Sequence, residues 1–185
     1  MSVKYHNFGG VIGWNLQKYF PNLSSDSYLK LQRSTRNKLQ QEYIDYFLST
    51  DEPPMPLVVN LETINRCNST CSFCTANKNA EKRPYRRMED SLFYSIIDQL
   101  ADWGYTGHLT LYGNNEPFLD TRIVEFHKYC REKLPHSFIF LSSNGLLLTV
   151  DKVKEIIPYV NQLIINNYCR DMKLHDNVKE IYEYA

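Results

Sequence analysis

Short apolar segments alternate with amphipathic segments four times along the later part of this chain. The first pair is LVVNLE at 57–62, which is rich in β-branched residues, and SLFYSIIDQLADW at 91–103, where apolar residues recur at helical spacing. The other predicted strands span 108–113, 138–143 and 162–167, and they precede predicted helices at 122–130, 152–160 and 177–185 respectively. Strands that alternate with helices pair in parallel and are joined by right-handed crossovers. The pattern therefore predicts an α/β fold around one parallel sheet.

A different pattern precedes the alternation. Residues 28–48 carry an apolar stripe at a spacing of four, which predicts a helix. The segment DEPPMP at 51–56 ends that helix, because consecutive prolines lack backbone donors and push the preceding residue out of helical space. We therefore predict a helical N-terminal extension at 1–55 and a core domain at 56–185.

The predicted helices also indicate which residues face the core. An apolar face recurs along 91–103 at Leu92, Ile96, Leu100 and Trp103, and along 122–130 at Ile123, Phe126, His127 and Cys130. His127 and Cys130 lie among apolar residues, so we expect a packed histidine and an inert buried thiol rather than metal ligands. Cys169 follows the fourth predicted strand and is expected to be a free thiol.

The charge balance argues against one broad class of function. The chain has 21 basic and 21 acidic residues and a net charge of zero, whereas a general nucleic-acid binder needs a basic surplus. The N-terminal sequence lacks the pattern of a signal peptide, and no window approaches the roughly 18 apolar residues of a membrane span. We therefore expect a cytoplasmic protein that binds neither nucleic acid nor membrane, in a compartment where thiols stay reduced.

Three cysteines fall within RCNSTCSFC at 66–74 and have the spacing C-x-x-x-C-x-x-C. Thiolates this close repel one another unless a cation or a cluster lies between them. A structural zinc site would need a fourth ligand from one of the two remaining cysteines or a histidine, because no second cysteine pair is present. A [4Fe–4S] cluster held by Cys67, Cys71 and Cys74 would instead leave one iron open to an external ligand. The spacing alone leaves both interpretations open, including a metal-binding module without catalysis.

Polar clusters follow the predicted strands at the point where each strand ends. They are the cysteine segment, GNNEP at 113–117, SNG at 143–145 and NNYC at 166–169. The carboxyl ends of parallel strands meet at one edge of the sheet, where the functional loops of α/β folds gather. We therefore expect all these clusters to lie on the same rim.

Three motifs stand in a fixed order at the ends of the predicted strands. The first is the cysteine spacing with Phe73 before the third cysteine, the second is LYGNNEPFLD at 111–120, and the third is SSNGLLLT at 142–149. Together they resemble the radical S-adenosylmethionine (SAM) superfamily, whose Gly-Gly-Glu segment and Thr-Asn-Gly turn occupy the second and third places. The resemblance covers roughly residues 57–170. It implies a partial (β/α) barrel. The four predicted strand–helix units are fewer than the family usually has, so we expect either a fragment of a longer enzyme or an unusually short half barrel.

The resemblance implies an enzyme with two cofactors. Cys67, Cys71 and Cys74 would hold a [4Fe–4S] cluster, and the amino and carboxylate groups of SAM would chelate the iron that lacks a protein ligand. Reductive cleavage of SAM would yield a 5′-deoxyadenosyl radical that abstracts hydrogen from a substrate that the sequence does not identify. A flavodoxin or ferredoxin is the reductant expected in this family, and the substrate is expected to be a peptide or a small molecule.

The resemblance also assigns contacts with SAM. Phe73 would pack near the adenine, and the backbone of Gly113, Asn114 and Asn115 would receive the SAM amino group. Asn114 and Asn115 stand where many relatives have glycine, but asparagine tolerates left-handed backbone, so the turn can survive. Glu116 would support the amino group by its charge, with an exposed strand-end carboxylate as the alternative.

Further asparagines are candidates on the rim. Asn144 and Gly145 suit a turn that needs positive backbone dihedrals, and turn geometry alone could explain them. Asn166 ends the fourth strand and could hydrogen-bond a ribose or a carboxylate. That strand would be the open edge of a short sheet, so we expect a partner chain or the N-terminal helix to cover it.

Overall fold

The computed structural model describes residues 37–38, 40–50, 54–74, 83–168 and 173–185. Residues 40–49 form helix α1, which agrees with the later part of the helix predicted at 28–48. Residues 28–36 and 39 of that prediction lie outside the described residues. The helix ends at Ser49, just before the proline-containing segment, as predicted. The division into an extension at 1–55 and a core at 56–185 stays a prediction.

One parallel sheet is formed by strands that lie side by side in chain order. The strands are β1 (Val58–Asn60), β2 (His108–Thr110), β3 (Phe138–Ser143) and β4 (Gln162–Ile165), and the order across the sheet is β1-β2-β3-β4. Leu109 lies opposite Val59 on one side and Ile139 on the other, and every pairing is parallel. The α/β prediction is confirmed. Because all strands run the same way, their carboxyl ends meet at one edge of the sheet.

Each strand leads into a helix. The helices are α2 (Asp90–Asp102) after β1, α3 (Ile123–Lys133) after β2, α4 (Val150–Ile156) after β3 and α5 (Asp176–Tyr184) after β4. Helix α4 is shorter than predicted, because Pro158 cannot donate a backbone hydrogen bond and the chain tightens into a 3₁₀ turn at Ile157–Tyr159. In the described part of the chain, no helix combines the length and the apolar character needed to cross a membrane.

The core lies between the sheet and its helices. Leu109 of β2 and Ile139 of β3 are fully buried on the side that faces the helices. Phe93 of α2 stacks on Phe126 of α3, with ring centroids 3.8 Å apart and ring planes at 12°. Helix α2 follows β1 and helix α3 follows β2. Their stacking therefore fixes the two helices relative to each other, beside the first two loops of the rim.

The apolar face predicted for α2 is confirmed at Leu100, which is 4% exposed, and is wrong at Leu92 and Trp103. Leu92 is 52% exposed and Trp103 is 42% exposed, whereas Phe93 and Ile97 are fully buried. The helix carries two adjacent apolar rows with the same spacing, so periodicity alone does not decide between them. The row that contains Phe93 faces the core because its ring stacks on Phe126.

The apolar face predicted for α3 is confirmed. Its residues Ile123, Phe126, His127 and Cys130 are all buried. His127 Nδ1 lies 2.7 Å from the carbonyl oxygen of Ile123, and burial lowers the pKa of His127 to about 4, so the imidazole is neutral. Cys130 is a free thiol whose pKa is raised by burial, which makes it inert. Cys169 lies outside the described residues.

Candidate cofactor site

The loops that leave the strands surround a cavity of about 160 Å³. Every residue that the sequence nominated as a metal ligand or cofactor contact lines this cavity. They are Cys67, Cys71, Phe73 and Cys74 after β1, Gly113, Asn114, Asn115 and Glu116 after β2, Asn144 after β3, and Asn166 after β4. The structure therefore brings the predicted set together at the carboxyl edge of the sheet, and the ligands that these residues hold stay predictions.

The cysteine segment is fixed to its surroundings through the backbone. The amide of Cys74 donates to the carbonyl oxygen of Cys71 over 3.1 Å, which closes a turn between the second and third thiols. The carbonyl oxygen of Arg66 accepts a 2.8 Å hydrogen bond from the amide of Glu116, so the residue before Cys67 is tied to the loop after β2. These contacts hold the segment at the carboxyl edge of the sheet.

Negative charge is concentrated around the thiols. Burial raises the pKa of the half-buried Cys67 thiol, the charges of Glu116, Cys71 and Cys74 raise it further, and a hydrogen bond from the backbone of Ser69 opposes them. A bound cation or cluster would offset this repulsion. Within the described ranges, no three His, Cys, Asp or Glu side chains are arranged to hold one metal ion.

Glu116 is a buried carboxylate, only 2% exposed, that joins two loops. Its Oε1 accepts hydrogen bonds from the Phe118 amide at 3.2 Å and the Ser143 hydroxyl at 2.8 Å. Its Oε2 accepts from the Asn144 amide at 2.8 Å. The alternative of an exposed strand-end carboxylate is excluded by this burial. Glu116 instead holds the loop after β2 against the loop after β3.

The loop after β2 is shaped by Glu62, a residue that sequence analysis did not nominate. Glu62 Oε2 accepts a 2.8 Å hydrogen bond from the Asn114 amide, and Oε1 lies 3.5 Å from the Arg83 guanidinium. A Cβ on Gly113 would stand 3.0 Å from Glu62 Oε2, so glycine permits this close approach. The Gly113 amide donates to Asn115 Oδ1 at 2.8 Å. An ammonium group donates hydrogen bonds, so the carbonyl oxygens are the backbone groups of this loop that suit an ammonium ligand.

Asn144 and Gly145 form the turn that the Asn-Gly pair predicted after β3. Gly145 has a φ of +78°, and a Cβ there would stand 2.7 Å from Ile165 Cγ2, so backbone and space both require glycine. Asn144 Oδ1 accepts a hydrogen bond from the Leu146 amide at 3.0 Å. The turn therefore uses the oxygen of the Asn144 side chain and leaves its nitrogen to point elsewhere.

The side-chain nitrogen of Asn144 contacts the cysteine segment. Nδ2 donates to Asn68 Oδ1 at 2.8 Å and to Ser69 Oγ at 3.1 Å. The same nitrogen lies 3.9 Å from the sulfur of Cys67. One side chain from the third loop thus contacts three consecutive residues of the first loop.

Asn166 leaves β4 toward the same cavity. Its backbone amide donates to the Ser143 carbonyl oxygen at 2.8 Å, and its Nδ2 donates to Ser142 Oγ at 2.7 Å. Both bonds brace Asn166 against β3. This position on the cavity wall keeps Asn166 a candidate contact for a ribose or a carboxylate.

Phe73 and Tyr168 form an aromatic wall of the site. Phe73 is 66% exposed and Tyr168 is 48% exposed, and their rings meet edge to face with centroids 5.1 Å apart. Burial raises the pKa of Tyr168, and the negative charge of the cysteines acts in the same direction. A second cavity of about 360 Å³ adjoins the first, and both rings line it together with Leu146 and His175. Tyr168 was not nominated from the sequence, although its place just after β4 marked the same rim.

Comparison with known proteins identifies the family. The sequence profile of the Radical SAM superfamily matches residues 61–166, which is more than half of the chain. The chain belongs to the radical SAM superfamily. The stretch with the radical SAM profile begins just after β1 and ends at Asn166, so it contains the cysteine segment and the loops after β2 and β3.

A curated protein is similar to this chain over part of its length. It is the S-adenosyl-L-methionine-dependent 2-deoxy-scyllo-inosamine dehydrogenase of Niallia circulans, 22% identical over 99 residues, which are 54% of this chain and 39% of the relative. The present chain therefore matches well under half of that relative's length.

Two solved structures share the radical SAM fold of this chain. BtrN in complex with AdoMet and 2-DOIA has a TM-score of 0.61 at 17% identity, over 71% of this chain and 52% of BtrN. Selenomethionine BtrN in an open conformation has a TM-score of 0.56 at 19% identity, over 66% of this chain and 54% of BtrN. At these identities the likeness establishes the fold, and the chain spans about half of the BtrN structures.

Proposed function

We propose that this chain forms the cofactor-binding part of a radical SAM enzyme, with a [4Fe–4S] cluster on Cys67, Cys71 and Cys74 and SAM in the space beside them. The observation that carries the proposal is that three unpaired thiols and the loops after β2, β3 and β4 line one cavity. The curated relative is a SAM-dependent enzyme, which supports SAM as the second ligand.

The donor set fits an iron–sulfur cluster. Cysteine thiolates are the ordinary ligands of such clusters, and each binds a different iron, so the sulfurs need not converge on one point. A structural zinc ion needs four ligands around a single centre. Among the residues that the structure describes, no such group is present. Cys130, which a zinc site could have borrowed, is buried in α3 with a raised pKa.

When bound, the cluster and SAM together supply reductive cleavage of the sulfonium and a 5′-deoxyadenosyl radical that takes a hydrogen atom from a substrate. The residues of the chain position and shield that chemistry. Glu116 places negative charge in the cavity lining formed by the loop after β2, which favours an ammonium group at the carbonyl oxygens of that loop. Phe73 and Tyr168 offer aromatic surface to the adenine. Asn166 offers a side-chain amide to the ribose or the carboxylate.

The proposal extends to substrate and partners. The curated relative acts on an inosamine, which favours a small molecule over a peptide as the substrate of this chain. The electron for SAM cleavage comes from a flavodoxin or ferredoxin. In the described part of the chain, β4 pairs with β3 alone, so its outer edge is open to a strand from a partner chain.

Anaerobic reconstitution with iron and sulfide tests the proposal. Wild-type protein should gain about four irons and four sulfides per chain. Cys67→Ala, Cys71→Ala and Cys74→Ala should each lose this capacity, whereas Cys130→Ala, in the core of α3, should keep it.

The reconstituted protein should then bind SAM and release 5′-deoxyadenosine after reduction with dithionite. Two results would overturn the proposal. A protein that takes up zinc and no sulfide is a structural metal module. A protein that holds a full cluster and forms no 5′-deoxyadenosine is an electron carrier.

A further inference from the structure

We propose that Asn144 is a positioning residue that holds the cysteine segment and, through the sulfur of Cys67, sets the reduction potential of the cluster. The effect on the potential rests on the proposed function, because it needs a cluster. The positioning role does not rest on the proposed function, because the contacts of Asn144 with the cysteine segment involve protein atoms alone.

The orientation of the Asn144 side chain is fixed by its own turn. Its backbone amide donates to the buried Glu116 at 2.8 Å, which anchors the residue beneath the cavity. Its Oδ1 accepts from the Leu146 amide at 3.0 Å. Because the oxygen must face this donor, the NH₂ group has to face the other way. That direction leads to the cysteine segment.

The NH₂ group shares two N–H donors among three acceptors. Asn68 Oδ1 at 2.8 Å and Ser69 Oγ at 3.1 Å are oxygen acceptors, and the Cys67 sulfur lies at 3.9 Å. These residues span the first half of the C-x-x-x-C segment. Loss of the amide would therefore release that half from the loop after β3.

The same amide affects the electronic state of the sulfur. Hydrogen bonds to the sulfurs of an iron–sulfur site are among the factors that set its reduction potential. A donor stabilises the reduced and more negative state, so it raises the potential. The buried charge of Glu116 acts in the opposite direction. The Asn144 side chain is thus engaged within the protein, and we assign it to the cluster side of the site rather than to SAM.

Asn166 provides a matched control. It is also an asparagine at the end of a strand on the wall of the same cavity. Its amide donates to Ser142 Oγ and not to the cysteine segment. Removal of this amide therefore changes the cavity wall and leaves the contacts of Cys67 in place.

The potential is measured by redox titration of the reconstituted protein without SAM, monitored by electron paramagnetic resonance. Asn144→Ala should shift the potential to more negative values, and Asn166→Ala should leave it near that of the wild type. Asn144→Asp keeps the oxygen for the Leu146 amide, removes both donors and adds charge, so its negative shift should be larger. The effect on the reduction potential would be overturned if the wild type and both Asn144 variants had equal potentials. It would also be overturned if Asn144→Ala and Asn166→Ala shifted the potential equally.

Positioning is measured in the cluster-free protein by hydrogen–deuterium exchange. In Asn144→Ala, residues 66–74 should exchange several-fold faster than in the wild type, whereas β3 itself should be unchanged. Unchanged exchange over 66–74 would overturn the positioning role even if the cluster forms. If wild-type protein takes up no cluster, the proposed function and the effect on potential both fail, and faster exchange would still support the positioning role.

Discussion

Glu116 Oε2 accepts a 2.8 Å hydrogen bond from the backbone amide of Asn144, and the amide of Glu116 donates to the carbonyl oxygen of Arg66. This one residue therefore connects the loops that follow β1, β2 and β3. Its burial means that these bonds do not compete with water, so they lock the relative positions of the loops.

Glu116→Gln should reduce the free energy of unfolding of the cluster-free protein by about 1–3 kcal/mol. All groups that bond to the Glu116 side chain donate to it. A glutamine side chain has only one oxygen, so in either orientation its NH₂ group faces a backbone amide that also donates. Urea unfolding measures the change. Glu125→Gln, on the exposed side of α3, is the control and should change stability by less than about 0.5 kcal/mol. Equal losses in the two variants would contradict the assignment.

Gly145→Ala should destabilise the protein more than Gly104→Ala. Both glycines have positive φ, +78° and +68°, so each substitution costs about 1–2 kcal/mol of backbone strain. At Gly145 the new Cβ would also meet Ile165 and Val178 at 2.7 and 3.0 Å, whereas at Gly104 nothing lies within 4 Å. Overpacking adds roughly 1–3 kcal/mol at Gly145. Thermal unfolding of both variants measures the difference, and its absence would show that the turn after β3 has room to move.

Stability should fall as the pH decreases from 6.5 to about 4, in part because of His127, whose pKa is lowered to about 4 by burial. In this window the unfolded chain binds a proton that the folded chain excludes, so protonation favours unfolding. The shift corresponds to roughly 3 kcal/mol for this residue. Urea unfolding across the pH range should show a smaller fall for His127→Leu than for the wild type. His108, whose pKa is also lowered to about 4, accounts for part of the remainder. Identical pH profiles would contradict the prediction.

Phe73→Ala should weaken SAM binding about tenfold and leave the iron content unchanged. Phe73 is largely exposed and lines both cavities, so its ring is available to a ligand and contributes little to the core. Equilibrium dialysis with labelled SAM measures the affinity. Tyr182→Ala removes another exposed ring, 79% exposed on α5, and should bind SAM as the wild type does. If Phe73→Ala lowered the iron content as well as the affinity for SAM, Phe73 would shape the cysteine segment instead of contacting SAM.

The sequence predicted the four strands and the buried face of α3, but only part of the buried face of α2. The bounds of β3 match the prediction, because the apolar run FIFL and two serines are followed at once by an Asn-Gly turn. Strands β1 and β2 are shorter than predicted, since their ladders end where the chain turns into the rim loops. The face of α2 was misplaced in part, because the helix carries two apolar rows at the same spacing and only the partner across the core decides which row is buried. That partner, Phe126, lies on another helix.

The residues that line the cavity could be predicted from the topology of the sheet, whereas the hydrogen bonds between them could not. Parallel strands bring their carboxyl ends together, so motifs far apart in sequence were expected at one edge. Sequence position does not show which side chains meet across two loops. Glu62 could have been nominated from the sequence, because it is a carboxylate just beyond β1. Its hydrogen bond with Asn114, however, depends on the pairing of β1 with β2. The contact between Asn144 and Asn68 likewise depends on how closely the first and third loops approach.

The order of the strands along the chain also sets the order in which the parts of the site are synthesised. On the ribosome, the segment with Cys67, Cys71 and Cys74 emerges well before Asn144 and Asn166, since translation proceeds from the N-terminus. The nascent thiols therefore meet the solvent before the loops that line the cavity with them have been made. Thiolates react with oxidants and with metal ions, so during that interval the state of these three sulfurs depends on the redox conditions around the growing chain.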